Sequence, residues 1–419
     1  MLYFLSFFLY SLRFVRDRPV AFYLLLFISF SIFSGLLVGN FLEIQGFLDL
    51  FNVLFTVFVL FVICSSFRGY SVVRVFDPLS SGSFKFLLYF VLIFSSFSFL
   101  INLLIVYKSF SYIVLSGADI TEYKNEGEAA ALIRQWVNPY LVRFANFASP
   151  LGVLSLAFHF YFLIRNRLTL SVLFLILSLN VPLAGLHGLS RAAIVQFVLM
   201  YLFFYLYAYS AIGSRIRNKI NVFAFFVFGS IFFAFYFITN LRFSESSYYS
   251  AADDGFVRNR SLHSIFDYFS QWVGNSTEVM RNFTLDKLWY GKSSRSLFDE
   301  AFVRLGFDVN SYVDLRYQTL HGSASSFNGL VATLLYDFSY VGVLIFCFVF
   351  YFLVRCFSPK FGQVDFHRFI CFGSLITVPA LFFTNNYLSN VQFSLGVLYS
   401  FLAFWFLRFR FRSHSVSSN

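Results

Sequence analysis

The chain reads as an all-α polytopic membrane protein with about ten transmembrane helices, and three observations predict it. Of 419 residues, 59% are hydrophobic and only 12% charged, where a soluble globule carries about 25% charged residues. Mean hydropathy is +0.73. The apolar residues gather into runs of roughly 20, the length that crosses about 30 Å of hydrocarbon, and short polar connections separate the runs.

Taken in order, spans are expected at 19–39, 47–66, 86–106, 148–164, 168–186, 192–211, 220–239, 328–354, 369–387 and 390–407. Ahead of the first, MLYFLSFFLYSLRFVRDR places its apolar run before its charges and shows no small-residue cleavage site. It is expected to lie at the interface as a short amphipathic segment and not to be cut away. The spans divide the chain into 1–239 with seven helices, a large loop at 240–327, and 328–419 with three helices.

The connections alternate in character. Arg13, Arg16, Arg18, Arg68, Arg74, Lys85, Arg165, Arg167, Arg215, Arg217, Lys219, Arg355, Lys360, Arg368, Arg408, Arg410 and Arg412 all fall on one side, 17 of the 31 basic residues, accompanied only by Asp17, Asp77 and Asp365. Positive charge retained on the cytoplasmic side assigns both termini there. The net charge of +11 is therefore a topology signal spread over many short turns, and nucleic acid is not an expected partner. The opposite face receives the length: a loop of about forty residues at 107–147, with a helix expected over 125–137 and stopped by Asn138-Pro139, and about ninety residues at 240–327. The latter loop holds half of the acidic residues and is expected to carry short helices on the membrane surface. Structureless connections of this length are usually functional, so the working site is expected there.

Several residues are candidates for it. In GLHGLSR, before the sixth span, Arg191 sits at the start of a helix on the side where arginine is disfavoured. A guanidinium there suits the two oxygens of a phosphate, and His187 is its neighbour in the turn. Arg242 and Arg316 flank the two ends of the long loop, and Arg295 lies inside it. His321 in LHGSASSFNG could accept a proton from an attacking hydroxyl. Asp337 lies within an apolar span, where an ionisable group is a functional candidate and its plainer role is a partner for Arg191 or for helix hydroxyls. Tyr248, Tyr249, Trp272, Trp289, Tyr312 and Tyr317 could stack on sugar faces, ordinary packing being the alternative for each. No HExxH, CxxC, GxxxxGK[ST] or GxGxxG motif occurs, so no metal or cofactor is expected. The four cysteines sit in or beside apolar spans and imply no disulfide framework.

Three stretches, GLHGLSRAAIVQFVLMYLF, HGSASSFNGLVATLLYDFSYVGVLIF and FFTNNYLSNVQFSLGVLYSFLAF, together with the long outer loop, resemble the Wzy-type O-antigen polymerases of the bacterial inner membrane, relatives of the O-antigen ligases. The resemblance implies a GT-C-like helical fold and transfer of a glycan from undecaprenyl pyrophosphate to the terminal sugar of a second undecaprenyl-pyrophosphate-linked repeat unit at the periplasmic face. It also implies a chain-length regulator protein as partner. Arg191, with Arg242 or Arg316, would hold the pyrophosphates. The related ligases place a histidine about fourteen residues before a glycine in the position of Gly342, and here Asn328 occupies that position. Either His321 takes the base role or the pyrophosphate departs without a strong base. An O-antigen ligase is the nearest alternative, and a flippase or other transporter the next. Transporters bind near the midplane through broken helices and seldom need so long an external loop.

Overall fold

The computed structural model describes residues 9, 19–40, 44–67, 72, 74–76, 81–116, 132–133, 135–187, 191–222, 229, 233, 236, 240, 256–309, 312–320 and 327–415. Among these, seven helices are long and apolar enough to cross a membrane, or eight if one bent pair is a single span. Seven expected runs appear as α1 (Pro19–Val38), α2 (Phe47–Ser65), α3 (Ser81–Ser116), α6 with α7 (Leu168–Ser178 and Asn180–Leu186), α8 (Arg191–Ala208), α12 (Gly329–Phe357) and α14 (Val391–Ser415). The multi-pass membrane architecture follows from them.

Two runs differ from expectation. The run at 148–164 belongs to a bent pair, α4 (Pro139–Ala148) and α5 (Leu151–Ile164), meeting at 44°; Pro150 between them lacks the N–H that would continue the ladder. The run at 369–387 forms α13 (Phe366–Ala380), only 15 residues with Pro379 near its end, too short to span about 30 Å. The run at 220–239 and the helix expected at 125–137 fall mostly outside the described residues.

The chain forms two compact units that alternate in sequence. The first comprises Met1–Tyr70, Ala224–Cys356 and Thr377–Ser394. Its unexpected element is α9 (Arg260–Arg281), 22 residues taken from the long polar loop. Asn259 caps it by accepting from the Leu262 N–H at 2.9 Å, as an N-cap asparagine should. The helix lies against other helices of the unit. It packs along α1 and α2: the Trp272 Nε1 donates to Ser31 at 2.7 Å, Phe269 meets Phe27 at 5.9 Å, and Arg281 grips Asp49 at 2.9 and 2.8 Å. Phe27 is about 16 Å along α1 from Val38. Its buried face carries Ser264, Ser270, Ser276 and Thr277, small groups that let helices approach and satisfy one another's polar atoms. The remaining elements of this unit are α10 (Ser296–Arg304), α11 (Tyr312–Thr319) and α12 up to Cys356.

The second unit, Ser71–Phe223, Phe357–Ile376 and Leu395–Asn419, has an aromatic core in which Phe158 meets Phe174 at 5.1 Å and Phe366 at 5.0 Å. Buried polar residues join its broken helices. Asn102 of α3 donates to Ser149 at the α4–α5 bend and to Asn180 at the α6–α7 break, each at 2.9 Å; Asn180 in turn donates to the Ser95 carbonyl at 2.8 Å. Ile133, Trp136 and Val137 pack on Ile101 and Ile105 of α3. Strands β1 (Arg74–Phe76) and β2 (Gln363–Asp365) pair in parallel.

The close approach of α7 to α8 in this unit depends on one glycine. A Cβ on Gly185 would lie 2.1 Å from the Cβ of Ala193, far inside van der Waals contact. Gly185→Ala is expected to cost about 1–3 kcal/mol by overpacking, measured as thermal unfolding of the purified protein. Adding Ala193→Gly should recover most of the loss.

Candidate functional site

The polar centre of the first unit is built around a broken helix. Within α12, Ser339 adopts φ 60 and ψ 176, a region normally reserved for glycine that costs about 1–3 kcal/mol. The break interrupts the ladder and exposes carbonyls of the preceding turn, as at any helix end. The loop entering α10 supplies their partners: the Trp289 N–H donates to the Tyr336 carbonyl at 2.7 Å and the Gly291 N–H to the Asp337 carbonyl at 3.0 Å. Irregular backbone among apolar helices is tolerated where protein surrounds it. Replacing Ser339 by glycine keeps the conformation and removes its steric penalty, so the melting temperature should rise, with a gain of up to about 1 kcal/mol. A fall would mean that the helix does not break there.

Asp337 lies about 12 Å into α12 from Gly329 and is 1% exposed. One carboxylate oxygen accepts from the Ser293 N–H at 3.0 Å. The other accepts from the Ser293 hydroxyl, from the Ser294 N–H at 3.1 Å and from the Ser294 hydroxyl at 2.9 Å. Asn386, fully buried, then donates to the same two hydroxyls at 3.0 and 2.8 Å. Ser296 continues the bridge by donating to the Leu388 and Ser389 carbonyls at 3.1 and 2.9 Å. Asp337 thus has the hydroxyl contacts that its sequence position allowed, and it anchors the turn at 289–296 between α12 and the 386–389 segment.

That anchor positions a cationic group. Lys292 and Arg295 both reach Asp299, at 3.3 and 3.4 Å, so two positive charges share one carboxylate, and the Arg295 side chain is half exposed. Trp289 packs edge-on against Tyr312 at 5.5 Å, which brings α11 beside the same turn. Arg316 of α11 lies over Tyr312 at 5.6 Å and over Tyr317 at 5.0 Å; it makes no ion pair among the described residues, and its Nε has no hydrogen-bond partner there. A guanidinium over aromatic faces is held by cation–π attraction, and its planar fork of donors suits the oxygens of an anion. Burial pushes the Tyr312 phenol up to about 12 against the pull of Arg316, with Asp337 adding to the rise, so its hydroxyl stays protonated at neutral pH.

The structure thus brings Asp337, Arg295, Arg316 and Tyr317 into one unit on linked elements. Asn328 is fully buried; its carbonyl oxygen accepts from Thr333 at 2.9 Å, and as an amide it cannot take up a proton. The α12 start it precedes is closed by carbonyls, Gly329 donating to Thr384 at 3.0 Å and Leu330 to Phe382 at 2.8 Å. His321 and Arg242 lie outside the described residues, as do Tyr248, Tyr249 and the Arg191 side chain. His187 follows α7 in the second unit, where burial pushes its imidazole down to about 4, so it is neutral at physiological pH. Of the aromatic residues expected to stack on sugars, Trp272, Trp289 and Tyr312 are buried in the protein and serve packing, whereas Tyr317 is 57% exposed. Ser294, Asn386, Lys292 and Asp299 were not foreseen. Serines in a serine-rich loop carry no sequence signal, and the GKSSRS and TNNY stretches mean something only once Asp337 is seen between them.

Comparison of the chain with protein-family models, with curated proteins and with solved structures finds no match.

Proposed function

We propose that the chain is a membrane glycosyltransferase that polymerises lipid-linked O-antigen repeat units. The reading rests on Arg316, a guanidinium with no ion pair among the described residues, laid over Tyr312 and Tyr317 beside two cations that share a single carboxylate. Phosphate oxygens and sugar faces are the ligands that such a group recognises. In this reading a terminal sugar hydroxyl of one repeat unit attacks the anomeric carbon of another. The bond to pyrophosphate breaks, undecaprenyl pyrophosphate leaves with the electron pair, and the hydroxyl proton passes to His321 or to water. Arg316 and Arg295 oppose the charge that grows on the leaving group, an effect strongest where water is partly excluded.

The site would face the periplasm of a bacterial inner membrane, with both termini cytoplasmic and a chain-length regulator as protein partner. A ligase reading gains nothing from Asn328, whose amide offers no base. The test is deletion in the host followed by gel analysis of surface glycan. Glycan capped at one repeat supports polymerase; unattached polymer would indicate a ligase, and loss of all surface product a flippase.

A further inference from the structure

We infer that the second unit holds a site for one anionic phospholipid, separate from the cationic group around Arg316. A cavity of about 630 Å³ opens between α5, α6, α8 and the helix at 214–222. Its walls include Leu163, Leu168, Leu175, Ile216 and Ile220, with Arg215 and Lys219 among the lining. A concave surface of this kind, apolar walls with two cations, is complementary to an acyl chain that ends in a phosphate; cations of this type attract anionic headgroups at a membrane surface.

A second observation points into the same cavity. His159 lines it yet is 4% exposed. Its Nδ1 lies 2.9 Å from both the Ser171 carbonyl and the Ser171 hydroxyl, and the hydroxyl also donates to the His159 carbonyl at 3.2 Å. A bare Nδ1 would set its lone pair against that of the carbonyl, whereas a proton on Nδ1 is accepted by carbonyl and hydroxyl alike, so the ring proton is assigned to Nδ1. Nε2 is then a bare acceptor, buried and without a partner among the described residues. A hydroxylated headgroup supplies the missing donor. The occupant that satisfies charge, walls and acceptor together is phosphatidylglycerol.

The test is native mass spectrometry of the full chain, released from detergent after incubation with phosphatidylglycerol or phosphatidylcholine. One phosphatidylglycerol should remain bound and phosphatidylcholine should not. The double variant Arg215→Gln/Lys219→Gln should weaken retention at least about tenfold, and Leu175→Trp, which fills the cavity without touching charge, should abolish it. Arg304→Gln, on an exposed cation paired with Glu300, should retain lipid as the unaltered chain does. Circular dichroism and thermal unfolding identify any variant that fails to fold, and the conservative Lys219→Arg should then keep binding. Equal retention of the two lipids overturns the assignment. So does retention unchanged in the double variant and in Leu175→Trp, or displacement of the lipid by millimolar inorganic phosphate.

Discussion

Asp337→Ala is expected to destabilise the first unit by about 3–5 kcal/mol, read as a large fall in the unfolding temperature and as proteolysis of the loop between α9 and α12. The carboxylate accepts four hydrogen bonds, from two backbone N–H groups and two hydroxyls. Its removal leaves buried donors unsatisfied, at about 1–3 kcal/mol for each that finds no other partner. Asp337→Asn discriminates between the geometry and mere loss of charge. Its amide oxygen can take the place of the oxygen that serves Ser294 and the Ser293 hydroxyl, and only the Ser293 N–H then faces an NH₂ donor. The amide variant should therefore lose about 1–2 kcal/mol, well short of the alanine. If both variants unfold as the unaltered protein does, the carboxylate does not anchor the turn at 289–296.

The parts of this unit that the sequence made legible are those in which hydropathy alone decides structure. The runs that became α1, α2 and α14 are apolar around their whole circumference, and no other fold buries such runs. Asp337 stood out for the same reason, as an acid in a greasy run. What could not be read is how polar residues pair at a distance. Helix α9 is too polar to read as packing among apolar helices, and only Ser31 of α1 and Asp49 of α2, more than two hundred positions away, give its Trp272 and Arg281 their partners. The break at Ser339 lies in LLYDFSYVGV, which contains no proline and reads as uninterrupted helix; the loop N–H donors that compensate it come from residues about fifty positions earlier. At the α4–α5 bend, by contrast, Pro150 was in plain view, but the run ahead of it was too polar to be joined to the span.

The second large effect is expected at Arg316. In a purified system supplied with undecaprenyl-pyrophosphate-linked repeat units, Arg316→Ala should lower the rate of chain extension about 100-fold, the scale on which removing one preorganised charge donor acts. Stability should hardly move, because the guanidinium contributes only about 0.5–1 kcal/mol over aromatic faces at a partly exposed site. Lysine at this position keeps the charge and loses the planar fork, so Arg316→Lys should recover part of the rate and remain well below the arginine. Tyr317→Ala, which removes an exposed face of the same pair, should raise the concentration of acceptor needed more than it lowers the maximal rate, if the ring supports a sugar. Arg304, also exposed but bound to Glu300 at 2.8 Å, separates a general effect of surface charge from a local one: its alanine variant should extend chains at the normal rate. Should Arg316→Ala and Arg304→Ala behave alike, the phosphate is held elsewhere, and Arg191 at the head of α8 becomes the cation to change next.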